Sequence, residues 1–255
     1  MYAEERQQAI AQLVTERGRV SVNEISEQFD VTTETVRRDL SVLERMGLLR
    51  RVHGGAVPAA ALAVIEAGLG ERDQAHPDQK ARIARAAVAL LPEPGGSALF
   101  DAGTTTSRLA SLLPRDLRIT VVTHAVPVAA RLAGSPQIEL HLLPGRVRPT
   151  TQAAVGSETV ESLRRLRADV AFVGTNALSL DHGLSTPDHE EAATKRAIVA
   201  AARQVVCVAD SSKIGSESPV RFAELGDIDV LVTDEGIGDD ERRAIEDAGV
   251  EVVIA

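Results

Sequence analysis

Apolar residues in the first 50 positions recur with the spacing of three short helices. Ile10 and Leu13 share one face of the first segment, which predicts a helix that ends at the following glycine. The stretch "SVNEISEQF" starts with a serine and has a glutamate three residues later, a capping box that predicts a second helix from Ser21. In "DVTT", Thr32 or Thr33 can cap a third and longer helix, which is predicted to run to Met46. This order of elements is that of a helix-turn-helix.

The third predicted helix has one apolar face and one outward face. Val36, Leu40 and Leu43 follow the i, i+4, i+7 spacing and are expected to face the core. At about 100° per residue, Arg38 then points almost directly away from that core, where it can reach base edges or phosphates in the major groove. The alternative is a helix face that is merely solvated. The outward position of Arg38 favours contact with DNA.

A short basic segment follows the third helix. "LLRRVHGGAV" is typical of a strand and a Gly-Gly turn, which is the shape of a wing beside a recognition helix. We therefore predict a winged helix-turn-helix DNA-binding domain over residues 1–57. The residues predicted to contact DNA are Thr33, Thr35, Arg37, Arg38 and Ser41 on the helix, and Arg50, Arg51 and His53 on the wing.

The rest of the chain alternates strand-like and helix-like segments. A stretch with two prolines, two glycines and no clear amphipathic period predicts a linker over residues 58–77. Over residues 78–255, apolar runs such as "ITVVT", "DVAFVG" and "VLVT" alternate with helical patterns such as "VPVAARL". Near-continuous apolar strands separated by helices predict an α/β domain with a mainly parallel sheet covered on both faces.

Charge is distributed unevenly between these two parts. The chain of 255 residues has a formal net charge of −9, yet five arginines are opposed only by Asp39 and Glu44 between positions 36 and 53. A basic patch on an otherwise acidic protein directs DNA to a small surface, because the remaining surface repels phosphate.

Composition excludes several other classes of protein. No apolar run reaches the roughly 18 residues that a membrane span needs, and the charged N-terminus lacks the apolar core of a signal peptide, so we expect a cytoplasmic protein without a membrane partner. The single cysteine, Cys207, excludes an intrachain disulfide and a thiolate zinc cluster. It lies in "VVCVA", which predicts a buried thiol. We expect no metal and no cofactor.

Polar residues follow the predicted strand "SALF". Asp101, Gly103 and the threonines at 104–106 lie where this strand gives way to a helix. Ligands of open α/β sheets bind at the carboxyl ends of strands, and hydroxyls beside the free N–H groups of a first helical turn form an anion pocket. The alternative is a capped helix without a ligand. Three threonines after Asp-x-Gly favour a phosphate site.

Other candidate ligand groups lie further along the chain. Glu191 and Lys195 are four residues apart on one predicted helix, so they can pair at the surface or converge on a ligand. Lys213 follows a predicted strand and could neutralise a phosphate. Arg146 follows a glycine in a loop and could make a bidentate phosphate contact.

Several motifs occur together in the order and spacing of one protein family. They are "VTTETVRRDLSVLERMGLLRRVHGG", "FDAGTTTSRLA", "LLPGRV" and "HGLSTPDHEEAATKRAIVAAARQVVCVADSSKIG". Through them, nearly the whole chain resembles the DeoR/GlpR family of bacterial transcriptional repressors. The resemblance implies a ribose-phosphate-isomerase-like α/β domain after the winged helix-turn-helix, with a pocket for a sugar phosphate.

The resemblance extends the set of candidate ligand-binding residues. Two positions depart from the family pattern, with His124 where Asn is usual and Ala177 where Gly is common. His124 could still donate a hydrogen bond to a sugar hydroxyl. The residues predicted to bind the effector are Asp101, Gly103, Thr104, Thr105, Thr106, His124, Gly145, Arg146, Asn176, Glu191, Lys195, Asp210 and Lys213.

The expected function is that of a ligand-responsive repressor and not of an enzyme. The resemblance implies a regulator of a sugar-metabolism operon that binds double-stranded operator DNA and loses operator affinity when a sugar phosphate binds. One recognition surface gives little affinity, so we expect a homodimer or homotetramer. "FVGTNALSLDHGLSTPDHEEAATKRA" most resembles the fructose-operon repressors of the family. Fructose 1-phosphate is therefore the first candidate effector, ahead of other sugar phosphates and glycerol 3-phosphate.

Two enzymatic alternatives remain at this stage. Asp101, Glu191 and Lys195 could transfer protons between two carbons of a sugar phosphate, as in an isomerase. Actin-like sugar kinases also use an Asp-x-Gly-Thr phosphate loop, but the repressors built on that fold are longer and usually carry a cysteine-rich zinc motif. The attached DNA-binding domain favours a sensor over an isomerase, because a fold alone does not imply its chemistry.

Overall fold

A computed structural model of the chain describes residues 3–17, 20–52, 55–58 and 68–255. The chain divides into two compact units, Met1–Leu62 and Ala63–Ala255. Each unit has its own buried apolar cluster. The predicted domain limits at residues 57 and 78 stay predictions.

The first unit contains three helices and a small antiparallel sheet. Its elements are α1 (Ala3–Arg17), β1 (Val20–Ser21), α2 (Val22–Phe29), α3 (Thr33–Arg45), β2 (Leu49–Val52) and β3 (Gly55–Pro58). The strands lie in the order β1-β3-β2, and β2 pairs with β3 in antiparallel register. Residues 53–54, where the sequence predicts the start of a Gly-Gly turn, lie outside the described residues.

Local sequence signals set the ends of these helices. The Ser21 hydroxyl accepts the N–H of Glu24, whose carboxylate accepts the N–H of Ser21, so the capping box is confirmed. The Thr32 hydroxyl accepts the N–H of Thr35 at the start of α3. Gly47 follows α3 with φ of +69°, a left-handed conformation that glycine adopts without a steric penalty.

The second unit is an α/β domain with a seven-stranded parallel sheet. Its first half contains α4 (Leu69–Gln74), α5 (Pro77–Ala87), β4 (Ser97–Phe100), α6 (Thr104–Ala110), β5 (Ile119–Thr123), α7 (Val126–Leu132), β6 (Ile138–Leu142), β7 (Arg146–Arg148) and β8 (Ala153–Val155). Its second half contains α8 (Ser157–Arg164), β9 (Ala168–Val173), β10 (Ala177–Ser179), β11 (Gly183–Thr186), α9 (His189–Ala200), β12 (Ala202–Val208), β13 (Val220–Ala223), β14 (Val230–Thr233), α10 (Asp239–Asp247) and β15 (Glu251–Ile254). The main sheet has the order β15-β14-β12-β9-β4-β5-β6.

Both faces of the main sheet are covered, as the near-continuous apolar strands predict. Leu99 and Cys207 belong to one apolar cluster with side chains from α8, α9 and α10. Phe100 and Val206 belong to the other cluster, with side chains from α5, α6 and α7. Successive strand residues therefore enter opposite clusters, as the period of two requires. Burial raises the pKa of the Cys207 thiol to about 12, which agrees with the predicted buried thiol.

One helix falls inside the segment that the sequence suggests is a linker. This helix, α4, has six residues and precedes α5 by only a few positions. The N–H of Leu69 donates to the carbonyl oxygen of Thr150 at 3.0 Å, so α4 is joined to the second unit. Six residues are too few to show a helical period, which is why the sequence pattern missed this helix. Within the described residues, no helix is long and apolar enough to cross a membrane.

Candidate functional site

The helix predicted to read DNA is α3 of the first unit. Val36, Leu40 and Leu43 are buried on one side of it, and Arg37 and Arg38 are exposed on the other. This is the arrangement that the helical period predicts.

The polar residues of α3 include one that sequence analysis treated only as a counter-charge. Asp39 is buried, and its carboxylate accepts hydrogen bonds from Arg6 Nε at 2.7 Å and Gln7 Nε2 at 2.8 Å. The hydrogen bond to Asp39 raises the pKa of Arg6. Asp39 therefore joins α1 to α3, and its carboxylate is paired with the Arg6 guanidinium.

The other residues predicted to contact DNA stay predictions, and the structure describes some of them more fully than others. Arg51 is exposed, and its guanidinium donates to the hydroxyl of Ser41 at 2.7 Å, so the wing strand and α3 present these groups together. Thr33 and Thr35 are half-buried in the first turn of α3. Two candidates cannot be placed by their side chains: Arg50 has only its backbone described, within β2, and His53 lies outside the described residues.

The second unit brings three predicted residues into one buried polar cluster. Asp101 follows β4, His124 follows β5, and Lys195 is on α9. The Lys195 ammonium donates to Oδ2 of Asp101, and it also donates to the carbonyl oxygen of Gly174 at 2.9 Å. The N–H of Gly174 donates to the same Asp101 oxygen at 2.9 Å. We call Asp101, His124 and Lys195 the Asp101 cluster.

Asp101 is ionised in this environment. Burial opposes its charge, but the Lys195 charge and the contact with His124 outweigh burial and hold the pKa of Asp101 well below its usual range. An uncompensated buried carboxylate would be strongly destabilising, so the charge and its partners form one unit. Asp101 therefore positions Lys195, whose side chain also lies 5.3 Å from the centre of the Phe222 ring.

The His124 ring is held by backbone groups as well as by Asp101. Its Nδ1 lies 2.8 Å from the carbonyl oxygen of Ala154, which can only accept, so Nδ1 carries a hydrogen. Its Nε2 accepts the N–H of Ala102 at 3.1 Å and lies 3.0 Å from Oδ1 of Asp101.

Glu191 and Lys195 do not form the surface ion pair that their spacing allows. Both are buried, and Lys195 binds Asp101 instead. Glu191 lies against Arg148, with Oε1 and Nη1 2.8 Å apart, and Arg148 also approaches Asp188 at 3.3 Å. Partners on other elements displace the i, i+4 pair because both side chains face the interior.

The loop candidates Gly145 and Arg146 have different surroundings. A Cβ at Gly145 would lie 2.2 Å from the Thr159 hydroxyl and 2.7 Å from the Val155 carbonyl oxygen, and its φ is +140°. Only glycine fits there, so Gly145 has a structural role whether or not it meets a ligand. Arg146 is exposed and forms an ion pair with Glu190.

The three threonines begin α6, as the anion-pocket hypothesis requires. Thr104, Thr105 and Thr106 are all buried, and the Thr106 hydroxyl donates to the carbonyl oxygen of Gly103 at 3.0 Å. Gly103 has a φ of 170°, extended backbone that any residue adopts. The predicted contact of Gly103 with an effector stays a prediction.

The remaining candidates lie at other loops of the second unit. The side-chain oxygen of Asn176 accepts the Thr186 hydroxyl at 3.1 Å. Asp210 is buried after β12 and accepts the Ser212 hydroxyl, and Lys213 is half-buried in the turn that follows. No group of three or more histidine, cysteine or acidic side chains suited to a metal occurs among the described residues.

Two family models match the chain. A DeoR-like helix-turn-helix domain matches residues 6–60, and a DeoR C-terminal sensor domain matches residues 75–235. The chain belongs to the DeoR family. It is a DNA-binding transcriptional regulator, and the family resemblance noted in the sequence is confirmed.

Curated DeoR-family relatives are similar over most of the chain. The HTH-type transcriptional regulator GlpR of Haloferax volcanii is 40% identical over 99% of this chain and 98% of its own length. The transcriptional regulator FruR of Bacillus subtilis is 34% identical over 92% of both chains. The glycerol-3-phosphate regulon repressor of Haemophilus influenzae is 33% identical over 89% of this chain and 88% of its own. These relatives are named as regulators or repressors.

The fold class is confirmed by the two DeoR domains and the parallel sheet. Among solved structures, ribose 5-phosphate isomerase A of Methanocaldococcus jannaschii is similar, with a TM-score of 0.41 and 16% identity over 55% of each chain. This likeness concerns the fold, and we infer no activity from it.

Two residues of the DeoR sensor unit were missed by sequence reasoning. Arg148 is two residues after Arg146 in β7, so strand alternation could have drawn attention to both. Lys80 is buried on the same face of α5 as Ile83 and Ala87. Burial lowers the pKa of Lys80 to about 8. The negative charge of Asp210 raises this pKa, and nearby positive charges, of which Lys213 has the largest effect, lower it further. A lysine on an apolar helix face was the available signal.

Proposed function

We propose that this DeoR-family regulator is a repressor of a sugar-metabolism operon. It binds operator DNA through α3 and the wing, and a phosphorylated sugar bound to the sensor unit lowers its operator affinity. The observation that carries the proposal is the Asp101 cluster at the carboxyl ends of β4, β5 and β9, in a chain whose other unit has an outward Arg38 on α3.

On the basis of the buried contacts, we assign different roles to the candidate effector-binding residues. Asp101 already accepts from Lys195 and Gly174 and lies 3.0 Å from His124 Nε2, so we assign it a positioning role. Lys195 has three donors and two of them have partners described above, which leaves one for a sugar oxygen. Thr104, Thr105 and Lys213 are assigned to the phosphate, and Asn176 to a hydroxyl.

Loss of operator affinity requires that the effector bind two states of the chain unequally. The shift in DNA affinity cannot exceed the difference in effector affinity between those states. A phosphate and several hydroxyls on one ligand provide such a difference, because they would replace internal hydrogen bonds of the polar cluster with bonds to the ligand.

The direct test measures operator affinity in the presence of sugar phosphates. Operator fragments are first selected from a random DNA pool by the full chain, and gel-shift affinities are then measured with phosphorylated sugars beside their unphosphorylated parents. We expect one phosphorylated sugar to weaken operator binding and its parent to have no effect. The Lys213→Gln variant should bind the operator normally and lose the response. An equal response to the unphosphorylated sugar contradicts a phosphate site.

The first candidate effector is fructose 1-phosphate, on the local likeness to fructose-operon repressors. Glycerol 3-phosphate is the second candidate, because a relative at 33% identity is named for the glycerol-3-phosphate regulon. Thermal unfolding separates the two compounds. An effector present at about 100 times its dissociation constant stabilises the folded chain by about 2.7 kcal/mol. A larger rise in the unfolding temperature with glycerol 3-phosphate than with fructose 1-phosphate would make glycerol 3-phosphate the first candidate effector.

A further inference from the structure

A separate pocket of about 500 Å³ lies between helices α4, α5, α6 and α7 of the sensor unit. It uses the face of α6 that carries Thr104, Ser107, Arg108 and Ser111, while Leu109 of the same helix faces the core. None of the three members of the Asp101 cluster lines it. We call it the α4–α7 pocket.

The α4–α7 pocket is strongly basic in an acidic chain. Arg85 from α5, Arg108 from α6 and Arg131 from α7 line it, and Asp73 is the one acidic residue among the described residues that do so. The chain as a whole has a formal net charge of −9. Like-charged arginines repel each other, so their concentration in one concave site indicates an anionic partner.

The three arginines differ in their internal contacts. Arg108 Nη2 lies 2.7 Å from the Asp73 carboxylate, and its Nε is buried without a hydrogen-bond acceptor in the described part of the chain. Arg85 and Arg131 are exposed, and neither forms an ion pair or a side-chain hydrogen bond with a described residue. Two guanidinium groups are therefore available to an external anion, beside a third that is held in place by Asp73.

Size and chemistry narrow the class of ligand. Pockets of roughly 300–1,000 Å³ hold small metabolites and cofactors. Guanidinium groups bind phosphate in a bidentate geometry, and the hydroxyls of Ser107 and Ser111 can donate to the same oxygens. We propose that the α4–α7 pocket binds a small phosphorylated metabolite, with Arg85 and Arg131 contacting its anionic groups. The pocket shares Thr104 with the proposed effector site, but its arginines lie outside that site.

Ligand binding to the α4–α7 pocket should stabilise the position of α4. Arg108 donates to both the carboxylate and the carbonyl oxygen of Asp73 on α4, at 2.7 and 3.1 Å. Lys80 on α5 donates to the carbonyl oxygens of Arg72 and Ala75, which end α4. A ligand that touches α4 and α5–α7 at once would hold α4 more firmly. Backbone amides of α4 should then exchange hydrogen more slowly.

The test uses the full chain with inorganic pyrophosphate as the probe, titrated by calorimetry at low salt. The Arg85→Gln, Arg131→Gln double variant removes two pocket charges. The matched control, Arg203→Gln with Arg243→Gln, removes two charges whose side chains are 76% and 70% exposed elsewhere on the unit. We expect the wild type and the control to bind pyrophosphate equally and the pocket variant to bind it about tenfold or more weakly. Backbone amides of α4 should exchange more slowly in the wild type and the control when pyrophosphate is bound, and not in the pocket variant.

Other outcomes overturn the proposal. Unchanged affinity in the pocket variant, or no binding to the wild type at millimolar pyrophosphate, excludes an anion site there. Loss of pyrophosphate binding in Lys213→Gln places the anion at the proposed effector site instead. A changed sedimentation coefficient in the pocket variant, with unchanged anion affinity, would show that this face contacts a second copy of the chain. Failure here leaves the operator test above unaffected, because that test measures DNA affinity.

Discussion

The outward charged groups of α3 face solvent, whereas those of the Asp101 cluster face the protein interior. Arg38 on α3 is exposed and forms no ion pair with a described residue. Asp101 and Lys195 are almost completely buried and bind each other. An exposed charge costs little and remains available to DNA, whereas a buried charge must find an internal partner because desolvation is expensive. The proposed DNA-contacting surface can therefore be predicted from the sequence of one helix, whereas the partners in the Asp101 cluster cannot.

The largest expected effect comes from breaking the buried pair. Asp101→Asn and Lys195→Met should each destabilise the sensor unit by about 3–5 kcal/mol, because each leaves its partner buried without a counter-charge. The double variant should cost less than the sum of the two. Urea unfolding followed by circular dichroism measures this cycle.

An exposed pair of the same unit is the control for that cycle. Arg242 and Glu246 on α10 lie 2.9 Å apart on the surface. Their coupling should be no more than about 0.5 kcal/mol. Strictly additive costs at Asp101 and Lys195 would contradict the buried unit described above.

The next largest effect is expected at the exposed Arg38 on α3. Arg38→Ala should weaken operator binding by about 1–3 kcal/mol and leave the fold intact, because the side chain is exposed away from the core and is proposed to contact DNA. Gel-shift affinities and circular dichroism measure the two quantities. Arg17→Ala, which removes an exposed charge at the end of α1, is the control. Normal operator affinity in a folded Arg38 variant would refute the assignment.

Arg51 sharpens the same comparison. It is exposed on the wing strand and bound to Ser41. As a phosphate contact, Arg51→Ala should weaken binding to all DNA sequences alike and reduce the slope of affinity against salt by about one. A loss confined to one operator sequence would make Arg51 a base contact instead.

A third kind of charge, buried but held by carbonyl oxygens, predicts a pH effect. Burial lowers the pKa of Lys80 from 10.5 to about 8 in the folded chain. Between those values the unfolded chain binds a proton that the folded chain does not, so the free energy of unfolding rises with pH by on the order of 1–3 kcal/mol. Lys80→Met should remove this rise. Urea unfolding at pH 8 and pH 10 tests this prediction. An equal change in the free energy of unfolding between the two pH values in the wild type and in Lys80→Met would contradict it.

The smallest effect is expected at the exposed pair on α3. Glu34 and Arg37 lie 3.5 Å apart with most of both side chains in solvent. Glu34→Gln should change stability by less than about 0.5 kcal/mol. It should strengthen DNA binding slightly, because it removes a negative charge from the recognition face. Weaker DNA binding in this variant would show that Glu34 itself contacts the operator.

Signals confined to a few neighbouring residues were sufficient for much of the molecule. The capping box at Ser21, the faces of α3 and the strands of the parallel sheet all follow from local spacing, and each was confirmed. The reason is that helix and strand periods are properties of the backbone, so burial on one side imposes them directly on the sequence. Membership of the DeoR family followed from the order of motifs along the chain.

Side-chain partners were decided by the tertiary structure. Spacing offered Glu191 as the partner of Lys195, but the fold supplies Asp101, 94 residues away, and gives Glu191 to Arg148. The buried Lys80 and the short helix α4 also became visible only with their contacts in place. A buried charge must be paired by whatever the packed strands and helices bring within reach, and sequence distance has no part in that choice.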